Sequence, residues 1–342
     1  MSIRIEAFRG PAAEWDDFVR ARDGWTHFHL HGWQRVMKGA LGHQCIYLAA
    51  RKERNELSGV LPLVRVRSLL FGHFLVSMPF LNYGGPLGDE ESIRALVTHA
   101  CDSARRDGVK LLELRSPTSL PIELPVSHRK ITVLLDLPEG DPDDLWRRLD
   151  AKVRSQVRRP QKEGVTVRFG PDQVEPFFEV FSRHMRDLGT PTQSLRLFRL
   201  ISTVFPDDAW FGCAYLDDKP IACGAGFLWG REFEMTWASS LREHSRIAPN
   251  MLIYWSFMQR AVQQEVRVFN FGRCTPGSGT HKFKRQWGGH DQPLWWYSQS
   301  SIAGAKTPSP DDGAYSWGPR IWQKLPESVA NVLGPRIVRY IP

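Results

Sequence analysis

One order of elements is written twice in this chain, and that repetition constrains the fold more than any other feature. Apolar periodicity predicts a helix over residues 31–41, a strand over 44–50, a turn at 51–55 and a second strand over 57–66. The second half repeats this with a helix over 195–204, a strand over 210–216, a turn at Asp217-Asp218-Lys219-Pro220 and a strand over 221–229. After each hairpin come a short strand, a helix and a last strand: 92–106 with 109–115, then 250–264 with 266–273. Leu112-Glu113-Leu114-Arg115-Ser116 thus mirrors Phe269-Asn270-Phe271-Gly272-Arg273. An antiparallel hairpin followed by a helical crossover to a parallel neighbour predicts an α/β (α+β) chain, each half a mixed sheet flanked by helices.

At 342 residues the chain is long enough for two such cores, and 42% hydrophobic with 24% charged residues fits a globular protein. Pro138-Glu139-Gly140-Asp141-Pro142 marks the expected boundary. It gives a first domain over 1–140, a second over 141–300 with the main cleft, and a linker and tail over 301–342. The net charge of +8 favours polyanions, phosphorylated substrates or an anionic membrane surface as partners. No run of about 18 apolar residues exists and the N-terminus has no long apolar core, so a cytoplasmic protein that does not span a bilayer is expected. Five scattered cysteines without CxxC spacing indicate neither a disulfide framework nor a zinc site.

Residues 268–289, VFNFGRCTPGSGTHKFKRQWGG, carry the densest chemistry. A strand ends at Gly272-Arg273, passes a Gly/Pro/Ser/Thr loop and meets Lys282, Lys284, Arg285 and Trp287. Either this is an anion site, with loop amides and cations around a phosphate and Trp287 as a flat face, or it is a hairpin with a solvated basic strand. The first copy ends in Leu114-Arg115-Ser116-Pro117 without a basic continuation, which favours the binding site. Cys274 beside Arg273 could have a lowered pKa and act as a nucleophile, although the loop residues explain the segment without it.

The order of elements fits the acyltransferase fold known as GNAT, in which a parallel strand pair splays open to admit an acyl donor. Several blocks sharpen this: Gly72-His73-Phe74 with Pro79-Phe80-Leu81-Asn82-Tyr83-Gly84-Gly85, Lys152-Val153-Arg154-Ser155-Gln156-Val157-Arg158, and Met185-Arg186-Asp187-Leu188-Gly189-Thr190-Pro191. Together, from about residue 10 to the C-terminus, they resemble the FemAB-type peptidyltransferase family, in particular its branch associated with exosortase (PEP-CTERM) systems. The resemblance implies tandem GNAT-like domains and, from the best understood members, transfer of an amino acid from aminoacyl-tRNA to a peptidoglycan precursor.

Candidate site residues follow from each block. The turn at Asn82-Tyr83-Gly84-Gly85-Pro86 could hold Asn82 and Tyr83 at a cleft edge, Asn82 binding an amide and Tyr83 carrying a proton, or be structural. A helix ending at Pro160 places Arg154 and Arg158 on one cationic face, either solvated or phosphate-binding. His184 and Asp187 lie three apart at the end of a helix that stops at Gly189, where a His–carboxylate pair could take a proton from an attacking amine; His184 could also be an ordinary half-buried residue. Glu234 faces away from Phe233 and Met235 and is another candidate base. Residues 245–252, SRIAPNML, lack the glycines of the GNAT pyrophosphate turn, which disfavours acetyl-CoA, and Asn250 is expected to cap the next helix.

The tail places apolar Tyr315, Trp317, Ile321, Trp322, Leu325, Val329, Val332, Leu333, Ile337, Val338 and Ile341 among Arg320, Lys324, Arg336 and Arg339, with a break at Gly334-Pro335. It could lie at the inner membrane or dock on its own domains. The resulting expectation is an acyltransferase acting on a phosphorylated or lipid-linked cell-envelope or exopolysaccharide precursor, with no cofactor and no metal. Arg273, Lys282 and Lys284 would hold phosphate or oxyanion, with Arg154 and Arg158 assisting. An aminoacyl ester is the favoured donor, with acyl-CoA disfavoured; if the ester is aminoacyl-tRNA, the basic surface would meet RNA backbone through salt-sensitive contacts. The rivals are an exopolysaccharide acyltransferase using acyl-CoA or acyl carrier protein, and a non-catalytic scaffold for envelope assembly.

Overall fold

A computed structural model describes residues 3–68, 72–300 and 317–341. Tail residue Tyr315 and linker residues 301–313 lie outside these. Seven strands in chain order, β1 (Arg4–Ala7), β2 (Gln44–Arg51), β3 (Leu57–Ser68), β4 (Gly72–Val76), β5 (Leu87–Gly88), β6 (Leu111–Ser116) and β7 (Val126–Ser127), belong to a first sheet. The next seven, β8 (Ile131–Asp136), β9 (Thr166–Phe169), β10 (Ala209–Leu216), β11 (Lys219–Trp229), β12 (Glu232–Ser240), β13 (Val268–Cys274) and β14 (His290–Pro293), form a second. The last strand, β15 (Trp295–Ser300), returns to the first, between β6 and β7.

The duplication is visible strand for strand. The first sheet runs β1-β2-β3-β4-β6-β15-β7 with β5 on β3, and the second β9-β10-β11-β12-β13-β8-β14. In each, one parallel pair, β4 with β6 or β12 with β13, sits among antiparallel neighbours. A parallel neighbour needs a crossover, supplied by helix α3 (Glu90–Arg106) in the first and a 15-residue helix over Pro249–Gln263 in the second. The described residues fall into two compact units: 3–68, 72–129, 293–300 and 336–341 in the first, and 130–292 with 317–335 in the second. Strand pairing crosses a cut at residue 140: β8 lies before it yet pairs with β13, and β15 lies after it yet pairs with β6.

In the first unit, helices α1 (Ala12–Arg20), α2 (Trp33–Leu41) and α3 accompany the sheet. Asp89 caps α3 by accepting from the Ser92 amide at 2.9 Å, and Ile93, Leu96, Val97, Ala100, Cys101 and Ala104 recur at helical spacing on its buried face. Here the space beyond the parallel pair is filled by the chain itself. Past β4 the Ser77 amide donates to the Glu113 carbonyl at 2.9 Å and the Gly85 amide to that of Arg115 at 2.8 Å, so residues 77–85 line β6 where a donor would otherwise enter. Gly84 has φ +127°, and a Cβ there would come within 2.4 Å of Met78, which makes glycine obligatory in this turn. Asn82 and Tyr83 are buried, Tyr83 with its ring 5.9 Å from that of Phe28. The cleft-edge expectation for both gives way to a packed loop. Arg115, also buried, pairs with Glu113 at 2.7 Å, donates to the Leu81 carbonyl at 2.9 Å and stacks on Trp296 at 4.5 Å.

The second unit adds α4 (Pro142–Arg148), α5 (Ala151–Lys162), α6 (Val174–Leu188), α7 (Leu195–Val204), α8 (Pro249–Gln263) and α9 (Gly279–Arg285). The predicted turn between β10 and β11 holds Asp217 and Asp218 at φ +48° and +58°, the twist a tight hairpin needs. Helix α5 does not end at Pro160 but runs two residues further, because burial of Val153, Val157 and Pro160 offsets the one hydrogen bond that proline removes. The tail forms α10 (Trp317–Trp322) and α11 (Glu327–Val338). Helix α10 packs on α6, Trp322 and Ala330 are buried, and Gly334 lies against the Thr192 main chain. The expected break at Gly334-Pro335 is absent, since α11 continues through it.

Candidate functional site

In the second unit the parallel pair stays open. Strand β12 pairs with β13 only as Glu232↔Val268, Phe233↔Phe269 and Glu234↔Asn270, although both strands continue. On the β12 side Ala225 faces Trp237 and Gly226 faces Met235, which leaves Thr236 as an extra residue in a bulge. On the β13 side the register with β8 slips between Asn270 and Arg273, at Gly272 with φ +69°. Each strand is bent away just where their pairing ends.

A cleft of about 310 Å³ opens beyond this point. Its walls are Ala238, Ser239 and Ser240 from β12, Cys223 from β11, His184 near the end of α6, Asn250, Ile253 and Tyr254 from the start of α8, and Gly279, Thr280 and Phe283 from α9. The segment before α8 is a short 3-10 helix over Arg242–Ile247, anchored by an Arg183–Glu243 ion pair at 2.7 Å and by Arg159 donating to the Arg246 carbonyl at 3.0 Å. Ala248 then turns left-handed at φ +56° and Pro249 opens the helix, so Asn250 is inside α8 rather than capping it, and its side chain is released to the cleft.

His184 is the one predicted catalytic residue that lines the cleft. Burial, first, and nearby Arg242 lower its pKa, against a hydrogen bond to the Ser240 carbonyl and the charge of Asp187. The neutral ring therefore donates to Ser240, while Nδ1 is buried without a hydrogen-bond partner among the described residues. Asp187 makes no dyad with it. Its carboxylate takes both Nε and a terminal nitrogen of Arg186, at 3.0 and 2.6 Å. Ser239 Oγ, in the cleft wall, is likewise buried and without a partner among the described residues.

Glu234 is fully buried and accepts from Thr236 Oγ1 at 3.0 Å. Two residues earlier on the same face, Glu232 accepts from Asn270 Nδ2 at 2.7 Å, while Asn270 Oδ1 accepts from Thr132 and from the Gly272 amide at 2.8 Å. Asn270 thereby ties β8, β12 and the β13 bulge together at the fork. Burial pushes the Glu232 carboxyl up to about 7, with the Asn270 hydrogen bond pulling the other way. Between about 4.5 and about 7 the folded protein keeps a proton that the unfolded chain releases, so this contribution to stability is present at low pH and lost as pH rises across that window. Glu232→Gln is expected to be free of that loss, gaining up to about 3 kcal/mol on the parent between those limits. Urea midpoints of the two proteins that move in parallel from acid to neutral pH would refute it.

The segment 268–289 is a strand, a turn and a helix, so the basic hairpin is not formed. Ser278 caps α9 by accepting from the His281 amide at 3.1 Å, and His281 joins the Gly277 amide (3.0 Å) to Asp291 (3.0 Å). This helix separates the cations. Lys282 is exposed and Arg273 half-buried, whereas Lys284 is buried with Nζ donating to the carbonyls of Gly272 (2.7 Å) and Arg273 (3.0 Å). Burial lowers the Lys284 pKa to about 8. Its ammonium holds the bulge instead of facing a phosphate. Trp287 is in the core near Tyr254 and Phe271, so it offers no flat face. Arg154 donates to the Leu149 carbonyl and Arg158 stacks on Trp146 at 5.1 Å; neither lines the cleft. Burial raises the Cys274 thiol more than Lys284 and Lys130 lower it, and Cys223 is pushed well above the ordinary range, so neither is an activated nucleophile. Among the described residues no group of His, Cys, Asp or Glu could hold a metal ion, and no helix is long and apolar enough to cross a membrane.

Two mixed sheets, each with one parallel pair among antiparallel strands, define tandem GNAT-like domains, the fold expected from the sequence. Residues 147–285 match the acetyltransferase (GNAT) domain family. Among solved structures the fold is similar to that of FemX, at 14% identity and TM-score 0.66 over 87% of this chain and 97% of that one. It is also similar to the C-terminal domain of a putative lysylphosphatidylglycerol synthetase from Agrobacterium fabrum, at 14% identity and TM-score 0.59 over 85% and 92%. A tandem GNAT protein from the clavulanic acid biosynthesis pathway matches at 14% identity and TM-score 0.58 over 89% and 100%. No curated protein matches the sequence.

Sequence reasoning missed Ser239, Thr280, Glu232 and Asn270, and gave Asn250 the wrong task. Only Asn270 carried a signal, as a polar residue between Phe269 and Phe271 in an otherwise apolar strand.

Proposed function

We propose that this chain is an acyltransferase that moves an aminoacyl or related acyl group from an activated ester to an amine on a phosphorylated or lipid-linked envelope precursor. The observation that carries this reading is His184, neutral and with Nδ1 unpartnered among the described residues, in the wall of a cleft at an open parallel fork. The acceptor nitrogen attacks the acyl carbonyl, the ester C–O bond breaks and an amide forms. The amine proton passes to His184 Nδ1 and on to the departing alcohol oxygen. Ser239 Oγ donates to the developing oxyanion. Arg273 and Lys282, on either side of the loop into α9, supply positive charge for a phosphate-bearing substrate. The first unit, its fork filled by residues 77–85, is assigned no chemistry.

Likeness of fold to FemX, and to a protein named for making a lysylated phospholipid, supports an aminoacyl donor and a membrane-associated acceptor. The absence of glycine from residues 245–252 also favours aminoacyl-tRNA over acyl-CoA. An exopolysaccharide or other envelope precursor in an exosortase (PEP-CTERM) setting, met at the cytoplasmic face of the inner membrane, is the acceptor class this reading favours. The test incubates the full chain and lipid-linked precursors with aminoacyl-tRNA, acetyl-CoA and acylated carrier protein separately. Transfer from aminoacyl-tRNA is expected. Transfer from acetyl-CoA or carrier protein alone would overturn the donor, and none from any would overturn the enzyme.

A further inference from the structure

Among the described residues seven large hydrophobic side chains are exposed, and five of them, Ile321, Val329, Val332, Leu333 and Ile337, belong to the tail. A sixth, Leu188, ends α6 beside Gly189, which touches Pro319 of α10. On α11 the exposed positions 328, 329, 332, 333, 336 and 337 follow the three-and-four spacing of a single face, apolar but for Ser328 and Arg336. The opposite face is already occupied, with Ala330 and Gly334 buried. A helix apolar on both sides has one face seated and another that water does not favour.

We infer that this second face of α11, with Ile321 of α10, docks on an anionic lipid surface. The charges decide between occupants. Arg320, Lys324 and Arg336 are exposed on or beside these helices, and Arg336 lies within the apolar stripe. In an isologous dimer the stripe would bury a guanidinium from each copy in a shared apolar patch, which is costly. At a bilayer the aliphatic side chains enter the acyl boundary while the arginine stem lies along them and its head meets lipid phosphate. The inference does not depend on the donor, the acceptor or the chemistry of the cleft.

Sedimentation of the full chain with vesicles of phosphatidylcholine and phosphatidylglycerol, against phosphatidylcholine alone, tests it. Co-sedimentation with the mixed vesicles that weakens in high salt is expected. Arg336→Glu should lower the partition coefficient about tenfold or more, since each basic side chain near an anionic leaflet is worth about fivefold. Val332→Ser with Leu333→Ser should lower it further, with an unchanged melting temperature because both positions are exposed. No binding to mixed vesicles, or unaltered binding by the folded variants, would overturn the inference. So would a concentration-dependent dimer that the double variant abolishes.

Discussion

Arg115→Met is expected to destabilise the protein by about 3–5 kcal/mol, the usual cost of removing one member of a buried ion pair. Arg115 and Glu113 are almost wholly enclosed, their side chains 1% and 6% exposed. The guanidinium is also the donor to the Leu81 carbonyl and the cation over Trp296, so one substitution withdraws a charge, a hydrogen bond and a stacking contact. Residues 77–85 should loosen first, because Arg115 bonds to that loop through its main chain and its side chain. Faster hydrogen exchange of the Gly85 amide would report this. Replacing both partners, with Glu113→Leu in the Arg115→Met background, should recover much of the loss, since a shape-matched apolar pair carries no desolvation penalty. Urea unfolding that places the single variant within about 1 kcal/mol of the parent would show that the pair does not hold the first unit together.

His184→Ala should lower acyl transfer by about 10²–10⁴-fold, the range for loss of a general base, while leaving the melting temperature close to the parent's. Among the described residues the ring bonds to the carbonyl of Ser240 at the end of β12 and Nδ1 finds no partner, so little packing depends on it. The pH profile separates this role from a structural one. Burial and Arg242 favour the neutral ring, so the rate should rise through a pKa below the ordinary 6.5 and be level above it. Asp187→Asn should change little, because that carboxylate is engaged by Arg186. Parent-level transfer by His184→Ala, or a rate rising through neutral pH without a plateau, would remove His184 from the mechanism.

How much of this was legible differs by element. Helix α7 is found at the residues its apolar spacing predicts, and β2, β3, β10 and β11 begin and end within two residues of their predicted limits. Periods of two and 3.6 are local properties, set by which side of a strand or helix meets the core. Helix α9 was hidden because its seven residues are too few to show a period, and its capping serine sits in a run that reads as loop. The candidate cleft was legible in its location, at the end of the second copy's parallel pair, and His184, expected there as a candidate base, lines it. It was not legible in Lys284 or Trp287, whose residue types suggest a ligand site but which are buried under the strand bulge.

Hydrophobic periodicity and element order are enough to specify a duplicated α/β chain, the parallel pair in each copy and the half that bears an elaborated strand end. What closes the first fork and opens the second is seen only in three dimensions. That outcome depends on contacts between residues far apart in the chain: Gly85 with Arg115 filling the first fork, Asn270 with Thr132 and Glu232 fixing the bulge beyond which the second opens, and β8 and β15 each completing the sheet of the other half. Such pairings are selected by burial and by the need to satisfy every buried polar group, and neither leaves a local signature in the order of amino acids.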